Sequence, residues 1–373
     1  MSSPADQNSA LSDEEIVLSI RRIYENCLDS VHQYQTSASA GILGAISGGP
    51  DSTVLLYGLA LFKQKYPHIP VITATVEHGL REESRFEAEA VGVTAASLGL
   101  EHQILVWETP RKHSGVLEAA RHARYALLAQ LAEQKQVSYL ATAHTLDDQA
   151  ETLLFRMSRG SGIAGLSGMS VSLPMDNLML IRPFLGFSKN RLIATCEERS
   201  WSYFTDPSNS NPKYARPRWR QIMPILAEEG LTSERLSKLA WRCQRANAAF
   251  DFYTTELYEH IKIETDYEYQ KIVLDAYKLT AAPDEVAIRT LMIALKETGR
   301  LSFLRLERVE GFFQLLKSSL PPLHEDKQMI SPPSSKRIIK KSLGGTVIEL
   351  KQNGHLIIIR EAERSRGRKL KKV

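Results

Sequence analysis

The chain has 373 residues, 43% of them hydrophobic and 24% charged, and carries a formal net charge of +4. That length suits two or three domains, and that balance belongs to a folded globular protein rather than to a disordered or membrane-spanning one. The apolar runs fall far short of a bilayer span, and the opening MSSPADQNSALSDEE has neither the basic nor the apolar region of a secretory signal. Three widely spaced cysteines, Cys27, Cys196 and Cys243, offer neither a disulfide framework nor a CxxC metal pair, so a reducing, cytoplasmic setting without membrane contact is expected.

Residues 1–12 are polar and Ser-rich and read as disordered. Ile16, Ile20, Ile23, Cys27 and Val31 then recur every three or four positions, which predicts an amphipathic helix over 13–33. Its apolar face could serve a homodimer. From residue 38 the strand-like runs GILGAI, VITATV, QILVW and SYLATA alternate with helix-like segments at 53–65, 82–98, 115–135 and 145–158. Such alternation predicts an α/β fold with a doubly wound parallel sheet, whose ligands gather at the C-terminal ends of the strands.

Residues 159–183 break into Gly, Ser and Met and read as a long loop with at most one short strand; a helix is expected over 188–199. After Pro224 the helical periodicity through 233–259, 284–298 and 303–317 predicts an all-α domain. Residues 320–335 are rich in Pro and Ser and read as a linker. The end, with IIKK, GGTVIELKQ and HLIIIRE around Gly344-Gly345 and Asn353-Gly354, predicts two or three short strands. Four parts result: 1–37 tail and amphipathic helix, 38–224 α/β domain, 225–320 helical domain, and 321–373 linker, small β-rich segment and basic tail. The tail RSRGRKLKKV, the cluster KRIIKK at 336–341, and Arg216, Arg218 and Arg220 alternating with Pro217 and Trp219 fit a polyanionic partner.

The segment Ser47-Gly48-Gly49-Pro50-Asp51-Ser52 carries the most chemistry. A strand-like run enters it and a helix-like run leaves it. Backbone N–H groups, two hydroxyls and a helix N-terminus therefore converge on one small space suited to phosphate. It is neither GxxxxGK[ST] nor GxGxxG. Asp51 inside a phosphate loop would repel the ligand unless Mg²⁺ lay between them, so the pattern suggests a nucleotide cleaved between its α and β phosphates. A second segment, ATAHTLDDQAET, puts His144, Asp148 and Glu151 at i, i+4 and i+7 on one predicted helix face. Two carboxylates there could hold Mg²⁺, or bind an ammonium group and take its proton. His78, Arg81 and Glu82 follow a strand, and Arg121 with Arg124 flank one helical turn suited to phosphate or carboxylate.

Taken in order, SGGPDS, VEHGLREES, EAARHARY, ATAHTLDDQAET, RxxRGSGIAGLSGM, IRPF and DPSNSNPKYARPRWR resemble the tRNA(Ile)-lysidine synthases, members of the N-type ATP pyrophosphatases. The resemblance covers about residues 38–230 strongly and the helical part by organisation only. It implies a sheet of the adenine-nucleotide α-hydrolase type and an ATP-dependent ligase acting on cytidine 34 of tRNA(Ile) with a CAU anticodon. ATP would adenylate the C2 oxygen, and free L-lysine would then displace AMP, so that the modified base pairs with A.

On this reading Ser47, Gly48, Gly49, Pro50, Asp51, Ser52, His78, Arg121 and His144 bind ATP, with Asp51 holding Mg²⁺. Asp51, Arg124, Asp148 and Glu151 serve catalysis, and Asp148 and Glu151 bind the lysine. Arg216, Arg218, Trp219 and Arg220 meet the tRNA. The sequence departs from the family where Glu77 replaces an Asp, where Pro217 and Trp219 replace Asn and an aliphatic residue, and in a reduced β-rich end. Two alternatives are a thiolase-type tRNA-modifying enzyme, which would need cysteines in the pocket, and a non-catalytic tRNA-binding relative, which leaves Asp51, Asp148 and Glu151 unexplained.

Overall fold

The computed structural model describes residues 8–34, 39–77, 83–107, 116–205, 215–299, 305–320 and 337–361. The chain divides into two compact units, Met1–Gln244 and Arg245–Val373.

The first unit is built on a six-stranded sheet in the order β3-β2-β1-β4-β6-β5. Its strands are β1 (Ser39–Ala45), β2 (Val71–Glu77), β3 (Glu101–Val106), β4 (Val137–Ala141), β5 (Ser172–Met175) and β6 (Leu178–Ile181). All pair in parallel except β5, which returns antiparallel on β6. Strand alternation sends neighbouring apolar residues to opposite faces. Ile42, Tyr139 and Ile181 join one core with α1 (Asp13–Tyr34), α2 (Pro50–Lys65), α3 (Glu83–Ser97) and α7 (Lys189–Glu198). Leu43, Leu140 and Leu180 join a second core with α4 (Val116–Gln134). Burial on both faces explains why the strands read as continuous apolar runs.

Three expectations change here. Residues 8–12 are not a loose tail: Leu11 is buried and its N–H donates to Thr195 Oγ1 at 2.8 Å. The apolar face of α1 is spent inside the chain, with Ile16, Ile20 and Cys27 buried in the first core. It packs so closely on α2 that a Cβ at Gly58 would lie 2.5 Å from Ile16 Cγ2, so the described part of this face is engaged within the chain. Within 159–183 stand the short helix α6 (Ile163–Leu166) and the β5–β6 hairpin, not one strand at most. Asp176 turns that hairpin with a positive φ of 45°, a conformation Asp tolerates better than most residues.

Helices α5 (Leu146–Met157), α8 (Ala215–Glu228) and the start of α9 (Ser233–Ile261) complete the unit. Helix α8 runs through Pro224, where the sequence reading sets a border. The backbone bond lost at proline is offset by packing: Trp219, Met223 and Leu226 lie against Leu153 and Leu154 of α5 and Leu236 and Ala240 of α9.

The second unit carries an antiparallel sheet in the order β7-β8-β11-β10-β9, formed by β7 (Lys262–Asp266), β8 (Lys271–Asp275), β9 (Arg337–Leu343), β10 (Thr346–Lys351) and β11 (His355–Arg360). Helices α10 (Ala276–Ala281), α11 (Asp284–Thr298) and α12 (Leu306–Ser319) pack on its inner face, where Ile348, Leu350, Leu356 and Ile358 alternate inward. The C-terminal strands stand where the sequence places them. One detail differs, because the β7–β8 hairpin interrupts the segment read as all-α and supplies part of the sheet. The 321–335 linker and the basic tail from 362 lie outside the described residues.

Candidate functional site

The loop between β1 and α2 is set by its own hydroxyls. Ser52 Oγ donates to the Gly49 carbonyl at 3.0 Å and accepts from the Ser47 N–H at 3.1 Å, and the two serine hydroxyls lie 3.1 Å apart. Gly48 has φ of +83°, where a side chain is strained, and a Cβ there would meet Phe204 Cδ2 at 3.1 Å. Pro50 begins α2 after Gly49, which offers no side-chain cap, so the first turn's N–H groups keep no internal cap. Such a terminus attracts an anion.

Asp51 sits in that first turn. Its Oδ1 is buried with no hydrogen-bond partner, and Oδ2 lies 3.3 Å from Lys189 Nζ. Burial lifts its carboxyl most; Asp148 adds to the lift while Lys189 and Arg220 oppose it, and the pKa comes to about 6. A cavity of about 210 Å³ opens beside the loop and gathers Ser47, Gly49, Asp51, Ser52, Arg121, Arg124, Tyr125, Thr142 and His144. These residues follow the C-terminal ends of β1 and β4 or stand on α4. Arg121 also lies over the Tyr125 ring, 5.3 Å from its centroid. No group of three or more His, Cys, Asp or Glu side chains is gathered as a metal site among the described residues. A lone buried carboxylate still suits Mg²⁺, which takes one or two carboxylates and fills its remaining positions with phosphate oxygens and water.

The acids of α5 have three distinct settings. Thr145 caps the helix in a reciprocal box: Asp148 Oδ2 accepts from the Thr145 N–H at 2.9 Å and from its hydroxyl at 3.1 Å. Asp147 points elsewhere, accepting from the Lys189 N–H at 2.7 Å and from the Ser233 hydroxyl at 3.0 Å. Glu151 is only 3% exposed, and Arg220 donates to it from Nε at 2.5 Å while Nη2 lies 3.7 Å from Asp148 Oδ1. Burial works against the Arg220 charge, but Glu151, Asp148 and Asp51 outweigh it and hold the guanidinium above its ordinary pKa.

Seven of the residues singled out from sequence, Ser47, Gly49, Asp51, Ser52, Arg121, Arg124 and His144, line one cavity. Asp148 and Glu151 stand together at the head of α5. His144 precedes the cap and hydrogen-bonds Thr142 through Nδ1 at 2.9 Å, so it is not on the helix face that the i, i+4, i+7 spacing assumes. His78, Arg81 and Glu82 lie outside the described residues, and of Arg216 only its place in α8 is described. Arg218 is exposed, whereas Trp219 is half-buried against the α5 cluster.

Sequence reasoning missed Lys189, the ion pair of Arg220 with Glu151, and the bridging of Asp147. Lys189 carried no signal beyond its place just after Ser188, which caps α7. The cysteines stay clear of the cavity's polar lining: Cys27 is in the core, and the Cys196 thiol donates to the Pro50 carbonyl at 3.6 Å beneath the loop. Burial, with Asp51 adding, pushes that thiol up to about 12, the reverse of what a sulfur nucleophile needs.

A mostly parallel sheet bearing a Ser-Gly-Gly phosphate loop with an internal carboxylate defines a nucleotide-using PP-loop protein. The profile of a family described as a PP-loop domain matches residues 18–226. The similar curated proteins include a tRNA(Ile)-lysidine synthase of Methylobacterium nodulans, 44% identical over 73% of this chain and 80% of its own length. Two more of that name, from Methylobacterium sp. strain 4-46 and Rhodopseudomonas palustris, are 40% and 38% identical, each over 89% of this chain and 92% and 93% of their own lengths. The chain belongs to the tRNA(Ile)-lysidine synthase family.

Proposed function

We propose that the chain is an ATP-dependent ligase that joins free L-lysine to C2 of cytidine 34 in the CAU anticodon of tRNA(Ile), in a cytoplasmic setting. The observation that carries the reading is the pairing of a phosphate loop with two carboxylates at the head of the neighbouring helix. Lys189 links the two, its Nζ 3.3 Å from Asp51 Oδ2 and its N–H donating at 2.7 Å to Asp147, the chain neighbour of Asp148.

In the first step the C2 oxygen of cytidine attacks the α-phosphorus of ATP, and pyrophosphate leaves. The loop 47–52 and Lys189 receive the departing phosphates, and Arg121 and Arg124 place positive charge across the cavity. Asp51, with its unpartnered buried oxygen, would hold Mg²⁺, which supplies charge neutralisation on the phosphates when bound. In the second step the lysine ε-amine attacks C2 and AMP leaves with the former C2 oxygen. Only the neutral amine is a nucleophile, so Asp148 and Glu151 would bind the ammonium and take its proton. Arg216 and Arg218 on α8 would meet anticodon phosphates, with further tRNA contacts from the second unit.

The test is incorporation of ¹⁴C-lysine into a tRNA(Ile) CAU transcript with ATP and Mg²⁺, beside an Asp51→Ala control. Label that requires both ATP and Asp51 supports the proposal. AMP release driven by tRNA without label would keep the adenylation and reject lysine as the nucleophile.

A further inference from the structure

Helix α9 presents an apolar face to solvent. Phe252 and Tyr253 are 62% and 61% exposed, and Arg245, Ala246, Ala249 and Glu256 beside them are exposed as well. All six belong to the second unit. A solvated helix surface carries mainly charged and polar side chains, so two bare aromatics next to two alanines mark a contact surface. A groove of about 760 Å³ opens on the same face, between Ala246, Ala249, Tyr253 and Leu257 of α9 and Ala282 and Pro283 just before α11.

Spacing and charge say what fits there. Positions 245, 249, 252, 256 and 260 recur every three or four residues, which makes one stripe about 23 Å long. The stripe is basic near its start, at Arg245, and acidic towards its end, at Glu256, with the alanines and aromatics between. Opposite charges at equal distances from a centre complement themselves when a second copy lies antiparallel. With the twofold axis between Phe250 and Asp251, Arg245 of each copy comes opposite Glu256 of the other. Tyr253 then comes level with residues 246–249 of the other copy, where the alanines leave room for its ring. A nucleic acid suits the face less well, because Glu256 and the exposed Glu259 repel phosphate.

We propose that this face of α9 is a homodimer interface, in which two copies of the chain pair antiparallel with reciprocal Arg245–Glu256 ion pairs. No group of the phosphate loop or of the head of α5 takes part, so the inference stands apart from the ligase reading.

Sedimentation equilibrium of the full chain, with a monomer mass of 41.9 kDa, tests it. The unsubstituted protein should reach twice that mass at micromolar concentration. Arg245→Glu and Glu256→Arg each set like charges against one another twice per dimer, and each should weaken association about tenfold or more. Mixed one to one, the two variants should associate again, because only the mixed dimer restores both ion pairs. Ala249→Glu, which puts a charge at the centre of the face, should leave a monomer. A monomer at every concentration would overturn the proposal, and so would a dimer that none of these substitutions weakens. Failure of the mixture to recover would overturn the antiparallel register. Loss of tRNA binding by Arg245→Glu, in a protein monomeric throughout, would assign the face to RNA instead.

Discussion

Lys189 Nζ stands 3.3 Å from Asp51 Oδ2, so the cation absent from the SGGPDS loop arrives from the first residue of a distant helix. In a P-loop the lysine follows the glycines directly. Here α7 delivers the charge from the side, where it can pass between the carboxylate and a bound phosphate. Replacing Lys189 with Met should raise KM for ATP about tenfold, the effect of removing a charge-assisted hydrogen bond of about 1.5 kcal/mol. Lys189→Arg should recover most of it. Steady-state adenylation at varied ATP measures both, and an unchanged KM would assign Lys189 to packing alone.

Asp51 also makes a statement about stability. Its carboxyl is raised from 3.8 to about 6, so between those values the folded chain holds more protons than the unfolded one. Stability from this group is therefore present below about pH 4 and lost as pH rises through 6. Two units correspond to at most about 3 kcal/mol. Asp51→Asn should be more stable than the parent at pH 7.5, by about 1–3 kcal/mol, while losing adenylation. Urea midpoints across pH 4–7.5 would reveal it, the variant showing the shallower fall.

Gly48→Ala should cost about 1–3 kcal/mol, because its φ of +83° strains any side chain and the new Cβ meets Phe204 and Val91. ATP binding should weaken along with stability as the loop shifts. Calorimetry of nucleotide binding on the folded variant separates the two losses.

Thr145→Val removes the hydroxyl that closes the cap of α5, at a cost of about 1 kcal/mol in stability. Asp148 then loses one of the donors that fix its carboxylate. Lysine transfer should fall more than tRNA adenylation, by about tenfold, in single-turnover assays that follow each step. Equal loss in both would detach Asp148 from the second step.

The sheet was legible because neighbouring apolar residues such as Ile42 and Leu43 serve two cores, leaving unbroken strand-like runs. The β5–β6 hairpin was hidden by its four-residue strands and by a turn at Asp176-Asn177 without glycine. The β7–β8 hairpin, rich in Lys, Glu and Asp on its outer strand, reads as helix surface. The phosphate loop could be read whole because six adjacent residues make it. Arg220 and Glu151 are 69 positions apart, and nothing local announces such a pair. The false placement of His144 on the helix had a remedy in the sequence, since Thr145 and Asp148 form the T-x-x-D pattern of a capping box.

Asp147 ties the head of α5 to the first residues of α7 and α9 with one carboxylate. The residue it grips on α7 is Lys189, which faces the nucleotide loop, and its chain neighbour Asp148 faces the proposed lysine pocket. The two substrate stations thus share a single strut. Anyone re-engineering the pocket for another amine inherits a constraint: a shift at Asp148 that drags Asp147 along will be felt at Asp51, and amine choice cannot be retuned without retuning the grip on ATP.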